Sequence, residues 1–255
     1  MQQWRGLGGG KGRCCPPGRG KVGRLGSTHL RRLSSCQSHP MDHASAPLVV
    51  GLTGGIGMGK STVSRMLEQR NVPVLDADQM VHELYAAGGL AVEPIGAAFP
   101  TAVTGGAVDR TALSACVVGN PAALRQLEDI VHPLVQAQRS LGLRRAAEWG
   151  AEAVVLDIPL LFETGAEADC DLTVAVSAPP HIQRRRVLSR KGMSPEKLAS
   201  LLARQLPDAE RCRKANVVID TGCSLKETEK SIDELVSTFP SRTRKAYSKV
   251  STDAG

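Results

Sequence analysis

At 255 residues, 42% apolar and only 3% aromatic, the chain can build one α/β domain with a smaller subdomain and a sizeable core. Its formal charge of +7 sits at one end, because residues 1–40 hold eight of the 32 basic residues and none of the 25 acidic ones, which leaves 24 against 25 in the rest. A near-neutral body argues against a nucleic-acid partner, the lack of a long apolar run argues against a membrane span, and seven scattered cysteines without a C-x-x-C pair argue against a disulfide scaffold or a zinc site.

The first segment, residues 1–46, is rich in Gly, Arg and Ser and cannot bury a core, so it is expected to be a disordered basic extension. Three readings fit that composition: a mitochondrial or plastid targeting peptide, a nucleic-acid-binding arm, or an upstream start with Met41 as the real first residue. The glycines disfavour an amphipathic helix, which ranks disorder or a start-site artefact ahead of targeting. Without interleaved aromatics, the arm ranks last.

The apolar run 48–53 reads as a strand, and Gly54-Gly55-Ile56-Gly57-Met58-Gly59-Lys60-Ser61-Thr62 follows it directly. This satisfies G-x-x-x-x-G-K-[ST], the phosphate-binding loop. The physics asks for those residue types at that spacing. A strand must turn sharply into a helix with its backbone N–H groups aimed at phosphate oxygens, and side chains at the glycine positions would obstruct them. The helix that follows directs the positive end of its dipole at the same anion. Lys60 can reach the β- and γ-phosphates of ATP, and the Ser61 hydroxyl can ligate Mg²⁺.

A second strand is expected over 72–76, ending in Asp76-Ala77-Asp78. Ligands of open α/β sheets sit beyond the carboxyl ends of strands, which places both carboxylates near the loop. Alternating on a strand, they cannot point the same way, so one can face the acceptor while the other secures the following helix. Gly88-Gly89 and Gly105-Gly106 break the region up to residue 150 into helices that form an insertion. Strands follow at 153–158, 172–177 and 217–220, separated by helical patterns, so the natural solution is a parallel five-stranded sheet with crossover helices. Asp157, at the end of the third strand, is either a metal-shell carboxylate or a turn residue before Pro159. Arg184, Arg185, Arg186, Arg190 and Lys191 follow the fourth strand, where one or two can turn inward to a triphosphate. Ser194-Pro195 and the capping box Ser224-Leu225-Lys226-Glu227 mark two helix starts. Residues 241–255 are polar and lack periodicity, and are expected to be a disordered tail.

Taken together, these motifs resemble the dephospho-CoA kinase family over about residues 48–238. Besides the phosphate loop, the resemblance rests on Asp76-Ala77-Asp78, Asp109-Arg110-x-x-Leu113, Ile130-Val131-His132-Pro133, Asp157-Ile158-Pro159-Leu160-Leu161-Phe162-Glu163, and Gln183-x-x-Arg186 with Arg190. It implies an α/β fold of the P-loop NTPase type over 47–240, a helical acceptor-binding insertion at about 84–150 and a helical lid at about 180–214. The activity implied is ATP-dependent phosphorylation of the ribose 3′-hydroxyl of dephospho-CoA, with another small-molecule or nucleotide kinase as the alternative. By resemblance Asp78 is the base for the hydroxyl, with Lys60 and Arg186 acting at the phosphates. The resemblance also implies that residues 54–62 and Arg190 bind ATP, that Ser61 holds Mg²⁺, and that Asp76, His132, Pro159, Leu160 and Leu161 serve the acceptor. Leu201 stands where the family carries arginine, four residues before Gln205, with Arg204 as the nearby substitute; Thr221 stands where the last strand often ends in Asn. The expected partner is the small-molecule acceptor alone, with neither nucleic acid nor membrane. The protein is expected to be a soluble cytoplasmic monomer or small homo-oligomer, or mitochondrial or plastidic if the leader is a transit peptide.

A GTP-dependent switch would need D-x-x-G and N-K-x-D motifs, and neither occurs in the chain.

Overall fold

The computed structural model describes residues 46–247; the expected N-terminal extension up to residue 45 and the tail from 248 lie outside the described residues. Five strands, β1 (Leu48–Gly54), β2 (Val74–Asp76), β5 (Ala153–Asp157), β6 (Leu172–Ser177) and β7 (Val217–Asp220), form one sheet in the order β2-β5-β1-β6-β7. Every pairing in it is parallel, as the alternation of strands and helices predicts. β1 lies in the centre, so the loop after it opens where neighbouring connections leave to opposite sides.

β1 is buried throughout and feeds both faces by alternation. Leu48, Val50 and Leu52 pack with Val63, Met66 and Leu67 of α1 (Lys60–Glu68) and with Ile232 and Leu235 of α9 (Leu225–Ser237). On the other face Val49, Val154 and Leu156 meet Leu143 and Ala146 of α5 (Pro121–Glu148). A separate apolar cluster joins α2 (Ala77–Tyr85), α3 (Val92–Ala98), α4 (Arg110–Val117) and the first half of α5, with Leu84, Ile95, Leu113 and Val131 at its centre. This cluster occupies the expected insertion. The 28-residue α5, about 42 Å long at 1.5 Å per residue, therefore serves two cores. After β6 come α6 (Pro180–Leu188), α7 (Pro195–Leu202) and α8 (Asp208–Lys214). Ser194 caps α7, and Ser224 with Glu227 forms the reciprocal capping box of α9.

Four expectations change. β2 starts at Val74 rather than Val72, because Val72 N–H still closes the turn after α1 on Leu67 O at 3.1 Å. Gly105-Gly106 is more than a helix break: with φ of 60° and 77° it turns a two-residue loop between β3 (Val103–Thr104) and β4 (Ala107–Val108).

Residues 241–247, expected to belong to a disordered tail, are described and end in packed chain, with Ala246 and Tyr247 buried against the α5 face of the sheet. The Asp171 carboxylate holds this segment, accepting from Lys245 N at 2.5 Å, Ala246 N at 2.7 Å and Val49 N at 2.9 Å. Two apolar residues in a polar run carry no period, which hides them from a pattern search. Ala46 is buried in the same cluster, which brings the packed boundary one residue earlier than expected. Among the described residues no helix is long and apolar enough to cross a membrane.

Candidate active site

The turn from β1 into α1 shows why its sequence is so restricted. Gly57 and Gly59 have φ of 76° and 92°, where side chains are strained, and an added Cβ would lie 2.4 Å from Val187 Cγ2 or 2.9 Å from Thr221 Oγ1. Two side-chain amides hold the loop, Gln183 on α6 and Gln205 in the connection between α7 and α8. Gln183 Nε2 donates to Ile56 O at 2.9 Å, and Ile56 N donates to Gln205 Oε1 at 3.2 Å. Thr221 Oγ1 donates to Met58 O at 2.6 Å, and Met58 N closes a turn on Gly55 O at 3.1 Å, so the loop's own groups fix its path. The Met58 side chain is buried, its sulfur accepting from Ala178 N at 3.2 Å, which shows how a bulky residue fits this place.

In front of the loop lies a cavity of about 560 Å³. Gly54, Gly55, Ile56, Gly57, Gly59, Lys60, Ser61 and Thr62 line it, joined by Asp78, Pro159, Arg186, Arg190, Gln205 and Thr221. Lys60 makes an ion pair with Asp157, whose buried carboxylate also accepts from Ser64 Oγ at 2.8 Å. Beyond its two readings as a metal-shell carboxylate or a turn residue, Asp157 anchors the loop lysine and Ser64 of α1. Arg186 is the inward arginine of the basic run, but its guanidinium is engaged: Nη1 donates to Thr221 Oγ1 at 3.0 Å and Nη2 to Thr221 O at 2.6 Å. Arg190 lines the cavity one turn later.

A second cavity, of about 720 Å³, opens between α2, α5 and the segment after β5. His132 of α5 lines it as the sequence suggests, and so does Tyr85. Burial pushes the Tyr85 phenol up, while Arg110, 5.6 Å from its ring, pulls in the other direction. Asp109, the other member of that motif, caps α4 through Thr111 N and Ala112 N. Asp78 lines both cavities.

The remaining acceptor-side residues divide differently from the expectation. Asp76 lines neither cavity; it caps α2, accepting from Asp78 N at 2.8 Å and Gln79 N at 3.1 Å. Pro159 lines the nucleotide-side cavity, and its carbonyl accepts from Thr53 Oγ1 at 3.0 Å. Leu161 is fully buried, its methyl groups filling the space beside Gly51, so it belongs to the core; Leu160 is partly exposed but lines neither cavity.

Sequence reasoning missed Arg211. Its side chain lies behind Gly55, only 1% exposed, donating to Leu206 O at 2.7 Å and Asp208 Oδ1 at 3.2 Å, with Glu163 Oε1 at 3.8 Å. Glu163 in turn accepts from Leu206 N at 2.8 Å. Arg204, the expected substitute for the missing arginine at Leu201, does not line the cavity; the buried cation behind the loop is Arg211. In sequence it reads as one basic residue among several on a solvated helix, and only the Asp208–Arg211 spacing hinted at a pair.

A family model for dephospho-CoA kinase matches residues 48–227. Dephospho-CoA kinases of Mesorhizobium japonicum and Rhizobium meliloti are each 49% identical to the chain over 189 residues, covering 74% of it and 95% and 96% of their own lengths. The crystal structure of a Thermus thermophilus protein matches with a TM-score of 0.65 at 36% identity, over 75% of this chain and 97% of that one. A dephospho-CoA kinase from Campylobacter jejuni shares the fold at a TM-score of 0.50 and 21% identity, over 75% of this chain and 96% of its own.

Proposed function

The chain belongs to the dephospho-CoA kinase family, and we propose that its two adjoining cavities carry out ATP-dependent phosphorylation of the ribose 3′-hydroxyl of dephospho-CoA, giving coenzyme A and ADP. The observation that carries this reading is the position of Asp78, one carboxylate in the wall of both cavities. A donor phosphoryl group on one side and an alcohol on the other can meet only beside such a wall residue.

The triphosphate lies along residues 54–62, its oxygens met by loop amides and by the α1 dipole. Lys60, steered by Asp157, supplies positive charge at the β- and γ-oxygens. The residues present fit a magnesium ion: the Ser61 hydroxyl opens into the cavity, and Mg²⁺ beside a nucleotide needs only one or two protein ligands, the phosphates and water filling the rest. An ion held there by Ser61 would supply positive charge against the negative charge developing on the phosphates. Asp78 orients the 3′-hydroxyl and accepts its proton as transfer proceeds. Because the transition state is loose, positioning contributes more than base strength. Arg190 meets the phosphates directly. Arg186 reaches them only by giving up its two bonds to Thr221, so in this reading it first orders the wall.

The insertion at about 84–150, with His132 and Tyr85, takes the acceptor, and residues 180–214 form the lid. Gln183 and Gln205, both bonded to Ile56, tie that lid to the loop.

The test is coenzyme A formation by the full chain with ATP and dephospho-CoA, against adenosine, shikimate and gluconate as rival acceptors. Asp78→Asn should lower kcat by about 10²–10⁴-fold with little change in ATP KM. Near-normal turnover in that variant removes Asp78 from the base role, and a preference for another acceptor replaces the reaction itself.

A further inference from the structure

The acceptor cavity contains a cation that no motif announces. Along α5 its lining runs from Leu127 and Glu128 through Val131, His132, Val135 and Gln136 to Arg139, a single helical face about 18 Å long. Arg139 ends that stripe, and it is the sole lysine or arginine among the cavity's lining residues. Its side chain is only 17% exposed, with Nη2 donating to Asp169 Oδ2 at 3.1 Å. Nε is sealed from solvent and has no hydrogen-bond partner. A buried guanidinium with an unused donor is costly unless a further acceptor arrives.

We propose that Arg139, oriented by Asp169, is the anion-binding residue of the acceptor cavity and takes the diphosphate that links the adenosine and pantetheine parts of dephospho-CoA. The inference rests on the reading above, which supplies the acceptor, and adds the residue that selects its charged part. An acceptor with two phosphates needs a counter-charge, yet the cavity's other charged residues are Asp78, Glu128 and Asp169, with His132 as the only other group able to carry a positive charge. Asp78 is shared with the nucleotide-side cavity, and Glu128 lies eleven residues from Arg139 along α5. Asp169 is occupied with Arg139 itself, and fixing one corner of a planar fork presents its remaining donors in a set direction. Asp169 is thus a positioning residue, and Arg139 a specificity residue.

Steady-state kinetics of the full chain test this with Arg139→Gln, Arg139→Lys and Asp169→Asn. Adenosine, which has the hydroxyl but no phosphate, serves as a second acceptor or competitor. Arg139→Gln should raise KM for dephospho-CoA about ten- to a hundredfold. Its kcat at saturating acceptor, its KM for ATP and its affinity for adenosine should stay within about twofold of the unaltered protein, on the same footing. The lysine variant should recover part of the loss, and Asp169→Asn should show the same split at smaller amplitude. An unchanged KM for dephospho-CoA, or an equal loss toward adenosine, overturns the proposal and leaves Arg139 as a strut between α5 and the turn before β6. If the unaltered protein binds dephospho-CoA but forms no coenzyme A, the reaction assignment fails, while calorimetric titration of the Arg139 variants still decides the diphosphate contact.

Discussion

Thr221→Val isolates one hydroxyl on which the loop and the basic helix both depend. Valine matches threonine in shape, so the substitution leaves no cavity and the loss is polar. Thr221 is 5% exposed, and its hydroxyl donates to Met58 O at 2.6 Å and accepts from Arg186 Nη1 at 3.0 Å. Stranding the Met58 carbonyl costs about 1 kcal/mol or more. The Arg186 bond involves a charge, but its second bond, to Thr221 O, survives, so roughly another 1 kcal/mol is at stake. About 2 kcal/mol in a fold of this size lowers Tm by about 4–8 °C. The share that orders the cradle, ~1 kcal/mol, converts to about a fivefold rise in ATP KM. Dephospho-CoA KM should not move, because Thr221 lines only the nucleotide side. Differential scanning calorimetry and initial rates with ATP varied provide both readouts. A Tm within about 1 °C of the parent, with ATP KM unchanged, would refute the reasoning that this hydroxyl positions the loop.

Two further predictions concern parts remote from the phosphates. Asp171→Ala removes a carboxylate shared by three backbone N–H groups, and should cost about 3 kcal/mol or more and make the chain after residue 241 a site of early proteolysis, read by denaturant titration and limited digestion; resistance equal to the parent would contradict the clamp. Burial foremost, with Asp169 adding to it, pushes the Cys170 thiol up from 9.0 to about 12, so folding favours the protonated form. That contribution is whole below pH 9 and is lost as pH rises toward 12. Iodoacetamide near neutral pH should therefore label the exposed Cys223 and spare Cys170, as peptide mass spectrometry would show; early labelling of Cys170 in the native protein would rule this out.

The sheet was legible because its strands are short apolar runs bounded by chemically explicit helix starts. β6 and β7 fall on the expected residues, and the caps at Ser194 and Ser224 are in place. The phosphate loop was legible because its geometry tolerates so few residue types. What stayed hidden depends on partners far along the chain. Asp76 and Asp78 look equivalent in sequence, and only the start of α2 decides that one closes a helix while the other faces two cavities. Leu161 looks like a site residue by its motif but fills the space that Gly51 leaves open. Arg211 and Arg139 lie in basic helical stretches, where a buried cation and a solvated one share the same local pattern.

The long α5 has a mechanical consequence. Its first half is embedded with α2, α3 and α4, while Gly142, Leu143 and Ala146 press on the sheet, Gly142 so closely that a Cβ there would lie 2.8 Å from Leu75. The face from Glu128 to Arg139 precedes that contact along the helix, and the contact itself falls on β2, a few residues before Asp78. Pro133, between Glu128 and Arg139, removes one hydrogen bond from the ladder of α5, so the wall of the acceptor chamber carries the natural bending point of a helix whose far half is fixed on the sheet.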